Sequence, residues 1–132
     1  MRDGLTRRIQ SSPKPGLKSF LDRFRASLVI VAGDSAGRAY ALDRSELVFG
    51  RGAEATISID DEALSRRHAI FEVHGDGFRV TDLSSTNGVF VNGERVETVT
   101  LKHGDRLGLG SLKCKYVVDE IRKTPRVYDV SE

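Results

Sequence analysis

The chain has 132 residues, 39% hydrophobic and 30% charged, with three histidines and one cysteine, Cys114. That is room for one domain of ordinary size with a real core, and it excludes a largely disordered protein. Apolar runs such as Leu28 to Ala32 are far too short to span a bilayer, no apolar stretch of signal-peptide type follows Met1, and a lone cysteine allows no internal disulfide, so a cytoplasmic location is expected.

The net charge of +2 is unevenly spread. Residues 1–26 carry seven Lys/Arg against two Asp, whereas the rest carries fourteen Lys/Arg against seventeen Asp/Glu. Gly4, Ser11, Ser12, Pro13, Pro15 and Gly16 predict a flexible start. Leu17, Phe20, Leu21 and Phe24 then fall at i, i+3, i+4 and i+7 between Lys18, Arg23 and Arg25, the pattern of one short basic amphipathic helix. Nine or ten residues are marginal alone, so this helix should dock on its own or a neighbouring domain; a membrane surface or separate partner is the alternative.

From Ser27 the period changes to two. Leu28 to Val31, Arg38 to Leu42, Glu46 to Phe49 and Thr56 to Ile59 read as strands, and Ala69 to Val73 and Gly77 to Asp82 flank a hairpin turn at His74-Gly75-Asp76-Gly77. Val89 to Val91 runs into Asn92-Gly93, the strongest hairpin signal in the chain. Short strands around Arg95-Val96, Val99 to Leu101, Arg106 to Leu109 and Leu112 to Val118 complete the series. The fold class predicted is therefore all-β: a two-sheet antiparallel β-sandwich of about 10–11 strands behind a short N-terminal helix. The expected division is 1–26 basic segment, 27–118 sandwich and 119–132 polar linker or tail, leaving open whether the chain is part of a larger protein.

Three strings interrupt the strands at loops: Gly50-Arg51, Ser65-Arg66-Arg67-His68 and Ser85-Thr86-Asn87-Gly88. Loops at one end of a sandwich converge, so these would share one site offering guanidinium, hydroxyl, amide and backbone N–H donors. A phosphate monoester, with about −1.5 to −2 charges and three acceptor oxygens, needs such a set together.

With these strings go Asp60-Asp61, Asp82-Leu83-Ser84, Val91-Asn92-Gly93 and Leu101-Lys102-His103-Gly104-Asp105. In that order, from Leu47 to Gly110, they resemble the forkhead-associated (FHA) domain, a β-sandwich that binds phosphothreonine peptides. With flanking strands the resemblance covers residues 27–118. It implies that Arg51 pairs with the phosphate, Ser65 donates its hydroxyl, Arg66 adds a second basic contact and Thr86 completes the pocket. Asn87 would hydrogen-bond the ligand backbone, while Gly50, His68 and Gly88 would support the site. A small apolar niche for the threonine methyl is the family's basis for preferring threonine. The function implied is an adaptor or regulatory module in Ser/Thr kinase signalling. Its partner would be a phosphothreonine protein or peptide, with Thr6 (or Thr124 before Pro125) in the chain's own tails as a self-ligand.

Other chemistries find less in the sequence. Ser65 and His68 lack an orienting carboxylate for nucleophilic catalysis, so no enzyme is expected. His68, His74, His103 and Cys114 have no metal-ligand spacing, and Gly108-Leu109-Gly110 lacks the third glycine of a dinucleotide loop, so neither metal nor cofactor is expected. Nucleic acid is the alternative partner, through the basic N-terminal residues. The acidic body, without tryptophan or aromatic ladder, argues against it.

Overall fold

Alternation of apolar and polar residues builds two sheets that bury one face each. The structure, a computed structural model, describes residues 15–121; Thr6, Thr124-Pro125 and most of the basic start lie outside the described residues. Among the described residues one helix, α1 (Pro15–Arg23), precedes eleven strands. The six-stranded sheet has the order β2 (Ala39–Ala41), β1 (Phe24–Ala32), β11 (Leu112–Glu120), β10 (Arg106–Leu109), β7 (Val89–Val91), β8 (Glu94–Val96). The five-stranded sheet has the order β4 (Ile57–Ser58), β3 (Glu46–Gly50), β5 (Ala69–His74), β6 (Gly77–Asp82), β9 (Thr98–Thr100). Every described pairing is antiparallel except β3 with β4, which is parallel.

The inward residues of the two sheets meet in one core. Leu28, Ile30, Leu107, Leu109, Cys114 and Tyr116 come from the first sheet, and Phe49, Phe71, Phe78 and Val80 from the second. Burial pushes the Cys114 thiol up to about 12, so it packs as a small hydrophobe rather than a reactive thiolate. At Asn92-Gly93 both residues take positive φ, 52° and 88°, the conformation of a tight turn whose twist matches its strands.

Strand ends differ from expectation at one end of the β1–β11 pair. β1 begins at Phe24, inside the stretch expected to be helix and basic segment, because Phe24 to Ala32 finds a full partner in β11. β11 correspondingly runs to Glu120, with Phe24 in register with Glu120 and the Ile121 N–H donating to the Arg23 carbonyl. Leu112 opens β11 beside the Gly110-Ser111 turn, and Glu120 closes it eight residues later. The start of β1 and the end of β11 therefore lie side by side, at the end of the sandwich opposite that turn.

α1 docks on its own domain. Phe20 is buried, 5.3 Å from the Phe24 ring and edge-on to Phe78 at 5.6 Å. Leu17 and Leu21 pack beside it, Arg23 lies over the Phe24 ring at 5.0 Å, and the Lys18–Asp22 pair stays exposed. No described helix is long and apolar enough to cross a membrane. Because one aromatic anchors a helix too short to persist alone, Phe20→Ala should lower unfolding free energy by about 3 kcal/mol. Urea denaturation measures this, and an unchanged midpoint would mean that the helix adds nothing to the fold.

Candidate functional site

Three loops meet at the end of the sandwich where β3 stops and β5 begins. Arg51 N–H donates to the Ser65 carbonyl at 3.0 Å, Gly52 N–H to the Arg66 carbonyl at 3.1 Å, and His68 N–H to the Phe49 carbonyl at 2.8 Å. These bonds zip the loop after β3 onto the loop before β5. Gly50 is required there: a Cβ on it would lie 2.1 Å from the Arg66 carbonyl oxygen.

His68 joins the second loop to the third. Fully buried, it accepts from the Ser65 N–H at Nδ1 (3.0 Å), and its Nε2 lies 2.8 Å from the Gly88 carbonyl. Because Nδ1 accepts, the ring proton sits on Nε2 and donates to Gly88. Both nitrogens are thus committed to backbone groups. This leaves His68 no role as a base toward the Ser65 hydroxyl.

The third loop is shaped by a relay that the sequence reading left without roles. Asp82 Oδ1 accepts from the Ser85 N–H at 3.0 Å and from the Ser85 hydroxyl at 2.6 Å, and Ser85 Oγ accepts from the Gly88 N–H at 2.9 Å. An Asp three residues before a Ser at a strand end is the available signal for such a turn. Gly88 turns the chain with φ of 85°. A Cβ there would also come within 2.6 Å of Arg95 Nε, which lies against it.

On this frame the expected donors gather. Arg51 is exposed, and its Nε donates to the Leu64 carbonyl at 3.1 Å, which aims the guanidinium while sparing its terminal nitrogens. Ser65 Oγ accepts from the Thr86 N–H at 3.0 Å, so its own proton remains available to a ligand. Asn87 Nδ2 donates to the Ala63 carbonyl at 2.8 Å, leaving Oδ1 to accept. The Thr86 hydroxyl has no partner among the described residues. Arg66 is placed differently from the others: its Nη2 pairs with Glu54 Oε1 at 3.2 Å, both side chains exposed. The Glu54 backbone N–H, and then the Arg66 charge, hold the Glu54 carboxyl below the usual range. Glu54 is thus a carboxylate beside the cations that composition alone did not reveal.

Asp61, quoted in the motif but given no role, ties this end together. Its carboxylate accepts from the Ser111 N–H at 2.9 Å and the Ser111 hydroxyl at 2.7 Å. Burial pushes its carboxyl up, but the Ser111 bonds, the Ala63 N–H and the nearby His68 outweigh that and hold it below the usual range. Among the described residues no group of three or more His, Cys, Asp or Glu could hold a metal ion.

Two consequences can be measured by denaturation. His68→Ala strips partners from the Ser65 N–H and the Gly88 carbonyl and should cost about 2–4 kcal/mol; unchanged stability would show that the imidazole braces nothing. Asp61, with its folded-state carboxyl below the usual value, stabilises above the unfolded carboxyl's pKa and loses that contribution as pH falls through the folded value. The cost of Asp61→Asn, about 1 kcal/mol for a partly solvated carboxylate, should be full at pH about 6 and shrink toward pH about 3. A cost independent of pH would refute this account.

Comparison with known proteins bears on the fold and the family. The FHA domain family model matches residues 47–110. The glycogen accumulation regulator GarA of Mycolicibacterium smegmatis is 37% identical over 92 residues, 70% of this chain and 58% of that protein. The oxoglutarate dehydrogenase inhibitor of Corynebacterium jeikeium is 36% identical over 92 residues, 70% of this chain and 64% of that protein. The chain thus spans less than two thirds of the length of these curated relatives. A solved FHA domain, from work on phosphothreonine-dependent FHA interactions, superposes with a TM-score of 0.65 at 32% identity, covering 70% of this chain and 95% of its own. Eleven strands in two sheets, a matching family model and that superposition lead to one conclusion: the chain belongs to the FHA domain family.

Proposed function

We propose that this domain captures a phosphothreonine segment of a partner protein and serves as an adaptor or regulatory module in Ser/Thr kinase signalling. One observation carries the reading. Each putting-in-place bond in the three loops spends a group that a phosphopeptide does not need and spares one that it does. Arg51 spends Nε and keeps its terminal nitrogens, Ser65 spends a lone pair and keeps its proton, and Asn87 spends its N–H and keeps Oδ1. Arg51 and Ser65 then hold the phosphate with Thr86 beside them, and Asn87 receives a ligand backbone N–H. Arg66 contributes once the phosphate competes with Glu54 for its guanidinium. Gly50, His68 and Gly88 keep the loops in place without touching the ligand.

The related proteins are named as a regulator and an inhibitor, and both His68 nitrogens are occupied by backbone groups. Both facts support binding rather than catalysis. Self-capture is the finer form of the proposal: Thr6, phosphorylated, would enter the site of its own or a second copy. Nine residue steps separate Thr6 from Pro15, a reach of at most about 30 Å. If phosphorylating Thr6 leaves the affinity for an external phosphopeptide unchanged, occupation of the chain's own site is ruled out.

Arg51→Ala should weaken a cognate phosphothreonine peptide by about 2–4 kcal/mol with the fold intact, read by calorimetry; unchanged affinity sinks the site assignment. Binding should also decline as pH falls through about 6, where the phosphate takes up a proton.

A further inference from the structure

The outer face of the six-stranded sheet carries a second surface that the phosphate site does not use. Strand register places Arg95, Phe90, Gly108 and Lys113 side by side on β8, β7, β10 and β11. Arg106 and Lys115 form the next row. These positions alternate with the buried Val89, Val91, Leu107, Leu109 and Cys114, so they point away from the core. Phe90 is 36% exposed, large for an aromatic in the middle of a sheet.

Gly108 sinks the floor between Phe90 and Lys113. A Cβ there would meet Phe90 Cβ at 3.4 Å and come within 3.9 Å of Lys113 Nζ. Glycine inside a strand often marks a place where another chain approaches closely. The resulting groove, about 680 Å³, runs from Gly110 to Asn92-Gly93 between Phe90, Arg106 and Lys113.

Its charge is one-sided. Residues 27–132 are acidic on balance, yet among the described residues no carboxylate pairs with Arg95, Arg106, Lys113 or Lys115. The neighbouring acids are directed elsewhere. Glu94 sits opposite Val91, on the other parity of β8, Asp105 accepts from Asn92 and Lys102, and Asp61 is held by Ser111. Asp119 lies four residues beyond Lys115, in register with Arg25.

We propose that this groove binds an acidic, extended polypeptide segment of a partner protein, with an apolar side chain seated over Gly108 against Phe90 and carboxylates on Arg106, Lys113 and Lys115. A single exposed aromatic favours such a segment over single-stranded nucleic acid, which stacks successive bases on several. Three uncompensated cations, Arg106, Lys113 and Lys115, beside an apolar floor supply charge complementarity for the peptide. The groove shares no lining residue with the phosphate-binding loops, Arg95 on β8 turning instead against Gly88, so the two sites can act together on one partner or on two.

The test titrates the full chain with a short unphosphorylated peptide of alternating Glu and Leu, following backbone amides by NMR. Phe90, Gly93, Gly108 and Lys113 should shift, with Ser65 and Thr86 unmoved. Arg106→Glu combined with Lys113→Glu should weaken the peptide about tenfold or more. The milder pair Arg106→Gln and Lys113→Gln should weaken it less, and both chains should bind a phosphothreonine peptide as the parent does. No shift on this face at millimolar peptide overturns the proposal, as does equal affinity in the charge-reversed chain. Stronger shifts from a thymidine oligonucleotide or from anionic vesicles overturn the choice of a polypeptide.

Discussion

A buried imidazole holds the candidate site together. His68 sits between two loops that flank the paired strands β5 and β6, and each of its nitrogens is spent on one of them. Its place is set by packing as much as by hydrogen bonds: it directly precedes β5, and Ala69 and Phe71 behind it are fully buried. Replacing the ring would leave two backbone groups without partners where water has little access. The loops that present Arg51, Ser65 and Asn87 are therefore fixed from inside the protein, so their geometry need not be assembled by the ligand. Such pre-organisation lowers the ordering cost of binding a small, exposed peptide.

Carboxylates complete the frame without occupying its centre. Asp82 shapes the third loop through Ser85, and Asp61 links the second loop to a turn fifty residues away. Glu54 stands apart because it pairs with a cation assigned to the ligand. In the proposed site an anion arriving at Arg66 exchanges one carboxylate for another charge, which moderates the gain from that residue relative to Arg51, whose Nε bonds a neutral carbonyl.

Much of this was legible in the sequence because the signals were local. Alternation along Leu28 to Val31 or Gly77 to Asp82 needs only a buried face, and Asn92-Gly93 specifies its own turn. The ordered strings around Arg51, Ser65 and Asn87 marked where donors gather. What the sequence hid was non-local. Phe24 is the right residue for a helix face by spacing, but pairing with Glu120 across the whole chain draws it into β1. Asp61 and Ser111, or Arg66 and Glu54, are connected only once the loops converge, and no spacing rule relates them. The outer-face groove was equally out of reach, since Phe90, Gly108 and Lys113 become neighbours only through register.

The pairing of β1 with β11 has a further mechanical meaning. β1 begins and β11 ends together, at Arg23 and Ile121, and β11, nine residues long, separates that end from the loops by roughly 30 Å. Anything fused beyond either end hangs from one pole while the captured segment is held at the other. The domain then behaves as a stiff post of set length, and tension applied between the two sides acts first on docked α1 and then on the pairing of β1 with β11, before it reaches the loops.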